Sequence, residues 1–81
     1  MSEYPAIPEI KAGRYRHYKG KHYEVLGTAR HSETLEGLVV YRALYNHPQL
    51  GNNSLWVRPA AMFLETVEVE GKTIPRFQFV G

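Results

Sequence analysis

The 81-residue chain predicts a mostly β domain: a small SH3-like barrel or a strongly bent antiparallel sheet, with one short helical turn. Three observations lead there. β-branched and aromatic residues gather in five or six short runs, turn-forming clusters separate those runs at close spacing, and almost nothing reads as helix. In about 70 residues such a pattern suits a small curled sheet. Curling also reduces the exposed edges that a flat sheet would leave. The length allows one domain, residues 13–81, preceded by an arm at 1–12. Hydrophobic residues are 43% of the chain, but a chain this short buries only about 60–65% of its unfolded surface, so the core is thin.

Residues 1–12 carry Pro5 and Pro8 with scattered apolar residues and read as an extended arm. Proline fixes φ and removes a donor, which argues against a central strand. The aromatic run Gly13–Tyr18 predicts a first strand, and Lys19-Gly20 a tight turn. Lys21–Arg30 alternates as a second strand, with Tyr23, Val25, Gly27 and Ala29 on one face and His22, Glu24, Leu26 and Thr28 on the other. Gly27 inside it points to a bulge or a close backbone approach. The polar segment His31–Gly37 is a loop with room for a helical turn. Leu38–Tyr45 is the strongest strand, β-branched and aromatic without Gly or Pro, and is expected to be central and buried on both faces, or nearly so. Asn46–Asn53 is packed with turn residues. Leu55–Arg58 is a short strand stopped by Pro59, which can open a short helix through Met62. Leu64–Val69, a turn at Gly71-Lys72 and a last strand or edge segment over Thr73–Val80 around Pro75 complete the chain.

The composition limits the chemistry. There is no Cys, which excludes disulfides, thiolate metal sites and cysteine nucleophiles. All eight acidic residues are Glu, so Asp-based triads and EF-hand loops are excluded too. The net charge of +2 hides an asymmetry. Residues 13–31 hold Arg14, Arg16, Lys19, Lys21 and Arg30 against Glu24, which is +4; residues 60–81 hold Glu65, Glu68 and Glu70 against Lys72 and Arg76, which is −1. A positive face of this kind attracts phosphate or carboxylate groups, although hairpin strands also carry solvated charge without any such role. The start Met-Ser-Glu-Tyr-Pro lacks the pattern of a signal peptide, and the longest apolar run, Leu38–Tyr45, is too short to span a bilayer. A cytoplasmic protein without membrane association is the expectation.

Four groups of residues are candidates for chemistry. Arg30-His31-Ser32-Glu33 places a guanidinium, an imidazole, a hydroxyl and a carboxylate at a strand end, where His31 could act as a base oriented by Glu33. The plainer reading is a capped turn, with Ser32 and Thr34 as the caps. His17, His22, His31 and His47 show no metal-ligand spacing, so neither metal nor cofactor is expected. Arg42 interrupts an apolar strand, and Arg58 shares a face with Trp56. An arginine beside an aromatic can stack or engage a planar anion; the alternative is a structural ion pair with Glu24 or Glu33. The aromatics Tyr15, Tyr18, Tyr23, Tyr41, Tyr45, Trp56 and Phe63 exceed what one thin core obviously needs, and one or two could rim a groove.

An ordered series of motifs runs through the chain: Gly13-x-Tyr-Arg-His-Tyr-Lys-Gly20, Tyr23-Glu-Val-Leu-Gly27, Ala29-Arg-His-Ser-Glu-Thr-Leu-Glu36, Leu38-Val-Val-Tyr41, Leu55-Trp-Val-Arg-Pro59 and Pro75-Arg-Phe77. From Gly13 to Phe77 it resembles the bacterial domain-of-unknown-function family DUF1653. The resemblance implies a single bacterial, cytosolic domain and supplies no catalytic residues. Function is therefore read from the residues. The leading expectation is a non-enzymatic binding module for a small anionic ligand, a peptide or a nucleic acid segment, with Arg30, His31, Glu33, Arg42, Trp56 and Arg58 around a groove. The rival is a small enzyme using His31 and Glu33, with arginines holding an anionic substrate. A third reading is an interaction domain acting through a self-paired edge strand, as a monomer or weak homodimer.

Overall fold

A computed structural model describes residues 6–81. In order the elements are β1 (Gly13–His17), β2 (His22–Arg30), β3 (Gly37–Ala43), β4 (Asn46–His47), β5 (Gly51–Asn52), β6 (Leu55–Pro59), α1 (Ala60–Phe63), β7 (Thr66–Val69), β8 (Lys72–Pro75) and β9 (Phe77–Phe79). Five strands form one antiparallel sheet in the order β6-β3-β2-β1-β9, and β4-β5 and β7-β8 are separate two-stranded ribbons. Strands β6 and β9 do not pair, so of the two architectures expected the bent sheet is the one observed, and no barrel closes.

The bend follows from contacts between the two edges. At about 4.8 Å per strand, a flat five-stranded sheet separates its edges by roughly 19 Å. Here the Arg58 guanidinium on β6 lies 5.5 Å from the ring of Phe77 on β9. Phe63 of α1, which directly follows β6, stacks on Phe77 at 4.4 Å and 5°. One face of the sheet is therefore strongly concave, and the aromatics fill it. Tyr15, Val25, Val39, Tyr41, Ala60, Phe63 and Phe77 form the buried core, with Ile10, Tyr23 and Trp56 packed against it. Rings meet edge-on from Tyr15 to Phe63 and from Tyr23 to Tyr41, the geometry favoured by aromatic quadrupoles. Most of the sequence's aromatics are thus packing residues, which is how so short a chain acquires a core.

Strand β3 is central, between β2 and β6. It is not buried on both faces: Val39, Tyr41 and Ala43 are buried, whereas Leu38, Val40 and Arg42 are only partly covered. The bulge expected near Gly27 is present, with a register shift between Val25 and Gly27. It also corrects the face assignment. One extra residue reverses the period-two alternation, so Thr28 lies opposite core residue Val39, while Gly27 and Ala29 lie opposite Val40 and Leu38.

The remaining differences are local. Helix α1 starts one residue later than expected, with Pro59 preceding it rather than opening it. The turn of the β7-β8 ribbon is Glu70-Gly71, both with positive φ (51° and 79°), and Lys72 belongs to the strand. The last expected strand divides at Arg76. Pro75 ends the ribbon, the Arg76 amide bonds the Glu65 carbonyl, and Phe77 onward pairs with β1. The loop 46–53 holds the β4-β5 ribbon. In the arm, residues 6–12 have no regular structure but dock: the Tyr15 hydroxyl donates to the Lys11 carbonyl at 2.7 Å, and Ile7 sits over Gly37 so closely that a Cβ there would fall 2.9 Å from its side chain. The arm's first five residues, Pro5 among them, lie outside the described residues.

Candidate functional site at the concave rim

Three turns beside the sheet are built in the same way. His17, His31 and His47 each stand where a strand gives way to a turn, and each accepts backbone N–H groups at Nδ1. His17 takes the Lys19 amide at 3.1 Å, His31 those of Glu33 and Thr34 at 3.1 and 3.3 Å, and His47 those of Gln49 and Leu50 at 3.1 and 3.2 Å. The imidazole here does what Asx side chains do in turns. Accepting at Nδ1 places the proton on Nε2 and withdraws Nδ1 from metal binding or base chemistry. Among the described residues no three His or Glu side chains converge.

This settles how the segment 30–36 is held together. His31 itself, rather than Ser32, caps the turn. Thr34 contributes a smaller bond, its Oγ1 accepting the Glu36 amide at 3.3 Å. Arg30 donates to the Leu35 carbonyl at 2.9 Å. Glu33 is exposed and meets His31 through its backbone, not its carboxylate. Arg42 lies on the convex face beside Leu55 and Glu24, and it pairs with the Glu24 carboxylate at 3.2 Å. The structural ion pair weighed for Arg42 is therefore present. Trp56 and Arg58 share the concave face, two residues apart on β6. The Trp56 indole N–H donates to Ser54 Oγ at 2.9 Å. The six residues expected around one groove thus occupy three places: the β2-β3 turn, the convex face and the concave face.

Around Arg58 the concave rim gathers groups that no single stretch of sequence groups together. Arg58 crosses from β6 to Phe77. His17, at the end of β1, packs edge-on against Phe77 at 4.9 Å and lies 6.4 Å from Tyr23. The Tyr23 and Tyr45 hydroxyls are 3.2 Å apart, and Lys21 Nζ lies 4.4 Å from the Tyr45 ring centre. Arg76 sits beside Phe77 and makes one long contact to a carboxylate, 3.7 Å to Glu65. Its Nε is buried and has no hydrogen-bond partner among the described residues.

The electrostatics of this rim are one-sided. His17 titrates below its ordinary value of 6.5, first because burial disfavours the imidazolium and then because Arg76, Arg58 and Lys19 are nearby. Burial and the Tyr45 hydroxyl push the Tyr23 phenol well above the ordinary tyrosine range, with Arg58 opposing. Tyr23 is therefore a neutral donor at any physiological pH. The rim offers cations, imidazole and phenol donors, and ring faces, with Glu65 as the acid in direct contact. Two clefts of about 250 Å³ each lie elsewhere, one lined by Gly13, Arg14, Glu24 and Leu44 and the other by Pro8, Glu36, Gly37 and Ala60. Neither gathers comparable chemistry, so the rim is the candidate.

The profile of a family described as "Protein of unknown function (DUF1653)" matches residues 13–79. The chain belongs to the DUF1653 family. A crystal structure of a DUF1653 protein from Bordetella bronchiseptica is similar, with 42% sequence identity over 94% of each chain and a TM-score of 0.81. None of the curated proteins matches. The stretch matched to DUF1653 includes every rim residue named above and begins just after the arm.

Of the rim residues, Trp56 and Arg58 were legible as a pair because alternate positions on a strand share a face. Nothing local in the sequence groups His17, Tyr23, Tyr45 and Arg76 with them, since the curl that unites them is a long-range property. A weak signal existed in Pro75-Arg76-Phe77: a proline ending one strand directly before an arginine and a buried ring.

Proposed function

We propose that this DUF1653 domain is a non-enzymatic binding module whose concave rim takes a small anionic ligand. The observation that carries the reading is the gathering of Arg58 and Arg76 about His17, with Arg58 and His17 both against the Phe77 ring and the Tyr23 and Tyr45 hydroxyls alongside. An arginine held against a ring, as Arg58 is, keeps its planar fork available for carboxylate or phosphate, and a partly desolvated setting strengthens each charge-assisted bond. Arg76 adds a second guanidinium beside His17, and its contact with the Glu65 carboxylate is long at 3.7 Å.

The enzyme reading has less support. His31 spends Nδ1 on two backbone amides, and neither His31 nor the exposed Glu33 lines a cleft described above. Between anions, the rim favours a compact one, because its cations surround a single spot and do not form a track along the sheet as a polynucleotide would require.

A ligand-observed NMR screen of phosphorylated and carboxylated metabolites, with an oligothymidylate and an acidic peptide as comparison arms, tests the reading. Hits are expected among the small anions and should be lost in Arg58→Ala with the fold intact. Binding of the oligonucleotide alone, or hits unaffected by Arg58→Ala, would overturn it.

A further inference from the structure

Strand β6 is an open edge with an unusual amount of apolar surface. Leu55 and Val57 are 61% and 59% exposed, and among the described residues no strand pairs with β6 on the side away from β3. Natural edges are normally guarded by charge, proline or a covering element.

The hydrogen-bond phase of this edge can be derived. The Ala43 amide bonds the Ser54 carbonyl at 2.9 Å, and the β3-β6 register runs on through Arg42↔Leu55, Tyr41↔Trp56, Val40↔Val57 and Val39↔Arg58 to Leu38↔Pro59. Bonded and non-bonded pairs alternate in an antiparallel ladder. Ser54, Trp56 and Arg58 therefore turn their backbone groups toward β3, and Leu55, Val57 and Pro59 turn theirs outward. Pro59 has no N–H, so the outward ladder ends there. What remains is two consecutive outward positions, Leu55 and Val57, with bare apolar side chains on the convex face.

We infer that β6 pairs with β6 of a second copy of this chain, antiparallel about a two-fold axis at Trp56. In that register Leu55 meets Val57 of the partner subunit and Val57 meets Leu55 of the partner subunit. Both are outward positions, so each pair exchanges its N–H···O bonds in phase. The apolar side chains then cover one another across the strands. No like charges oppose: Arg58 faces Ser54 of the partner subunit, and Arg58's own guanidinium is turned inward over Phe77. An isologous pairing requires a patch that complements itself, and this edge does so in hydrogen bonding, side-chain size and charge together. The contact is short, so the dimer is dissociable and depends on protein concentration.

Sedimentation equilibrium of the whole chain tests this between about 10 μM and about 1 mM, a range over which a small interface assembles. The wild-type mass is expected to rise from 9.3 kDa toward twice that. Val57→Lys and Leu55→Lys, both at exposed positions and checked for folding by circular dichroism, should stay at the monomer mass. Leu64→Lys, at another exposed site, should still dimerise. A wild-type chain that remains monomeric throughout would leave this edge to a strand of another protein and overturn the proposal. So would β6 variants that dimerise as the wild type does.

Discussion

The stack of Phe63 on Phe77 gives the sharpest test of the fold. The two rings come from opposite ends of the sheet order, one from the helix after β6 and one from β9, and they are 2% and 6% exposed. Truncating either to alanine should remove about 3–5 kcal/mol. At roughly 0.05–0.15 kcal/mol per residue the whole domain holds only about 4–12 kcal/mol, so alanine variants risk unfolding outright. Leucine at each position keeps the domain folded, at a loss of about 1–2 kcal/mol, within the usual range for a core replacement. The informative quantity is the coupling from urea unfolding of Phe63→Leu, Phe77→Leu and the double variant. A stacked pair should show about 0.5–1.5 kcal/mol of non-additivity. Leu64→Ala, next to Phe63 but 51% exposed, should change stability by no more than about 0.5 kcal/mol. Additivity within about 0.3 kcal/mol would mean that the two ends of the sheet do not meet, and the curled architecture would be refuted.

Three further outcomes follow from local geometry. Gly37→Ala drives a methyl into Ile7, 2.9 Å away, and should lose about 1–3 kcal/mol by overpacking; in an Ile7→Ala background most of that loss should vanish. Glu70→Asn places a residue that tolerates positive φ at the first position of the Glu70-Gly71 turn and should gain several tenths of a kcal/mol in thermal or urea unfolding. His17 has a folded pKa below its unfolded value, so the unfolded chain binds the proton more readily. Its contribution is complete above about pH 6.5 and is lost as the pH falls through the lower folded value. Stability measured from pH 8 downward should decline less in His17→Gln than in the wild type.

Much of this fold can be read from residue order, and the exceptions have physical causes. The strands were visible because β-branched and aromatic runs alternate with Gly, Pro and Asn clusters. The bulge was visible as a glycine inside a strand, but its consequence was not: one extra residue reverses every later face, and Thr28 changed sides. The barrel could not be separated from the bent sheet, because closure depends on whether β6 and β9 pair, and Pro59 and Pro75 limit both without deciding the matter. The candidate site was only half legible. Alternate spacing on one strand pairs Trp56 with Arg58, whereas Arg42 stands on β3 and on the opposite face of the sheet, which spacing alone does not reveal. The roles of His17, His31 and His47 as turn caps have no sequence signature, because histidine is not a usual turn former like Asn and Asp, although its Nδ1 stands at a similar reach from the backbone.

The proposed function rests on the cationic character of the concave rim, and His17 reports on it from inside. Its pH titration, followed by imidazole NMR signals with and without pyrophosphate, is the most direct test. The free protein should show a midpoint below 6.5, from burial and from Arg76, Arg58 and Lys19. Pyrophosphate bound at the rim should raise that midpoint in the wild type and leave it unmoved in Arg58→Ala. A wild-type midpoint that is the same with and without pyrophosphate would contradict an anion site at this rim.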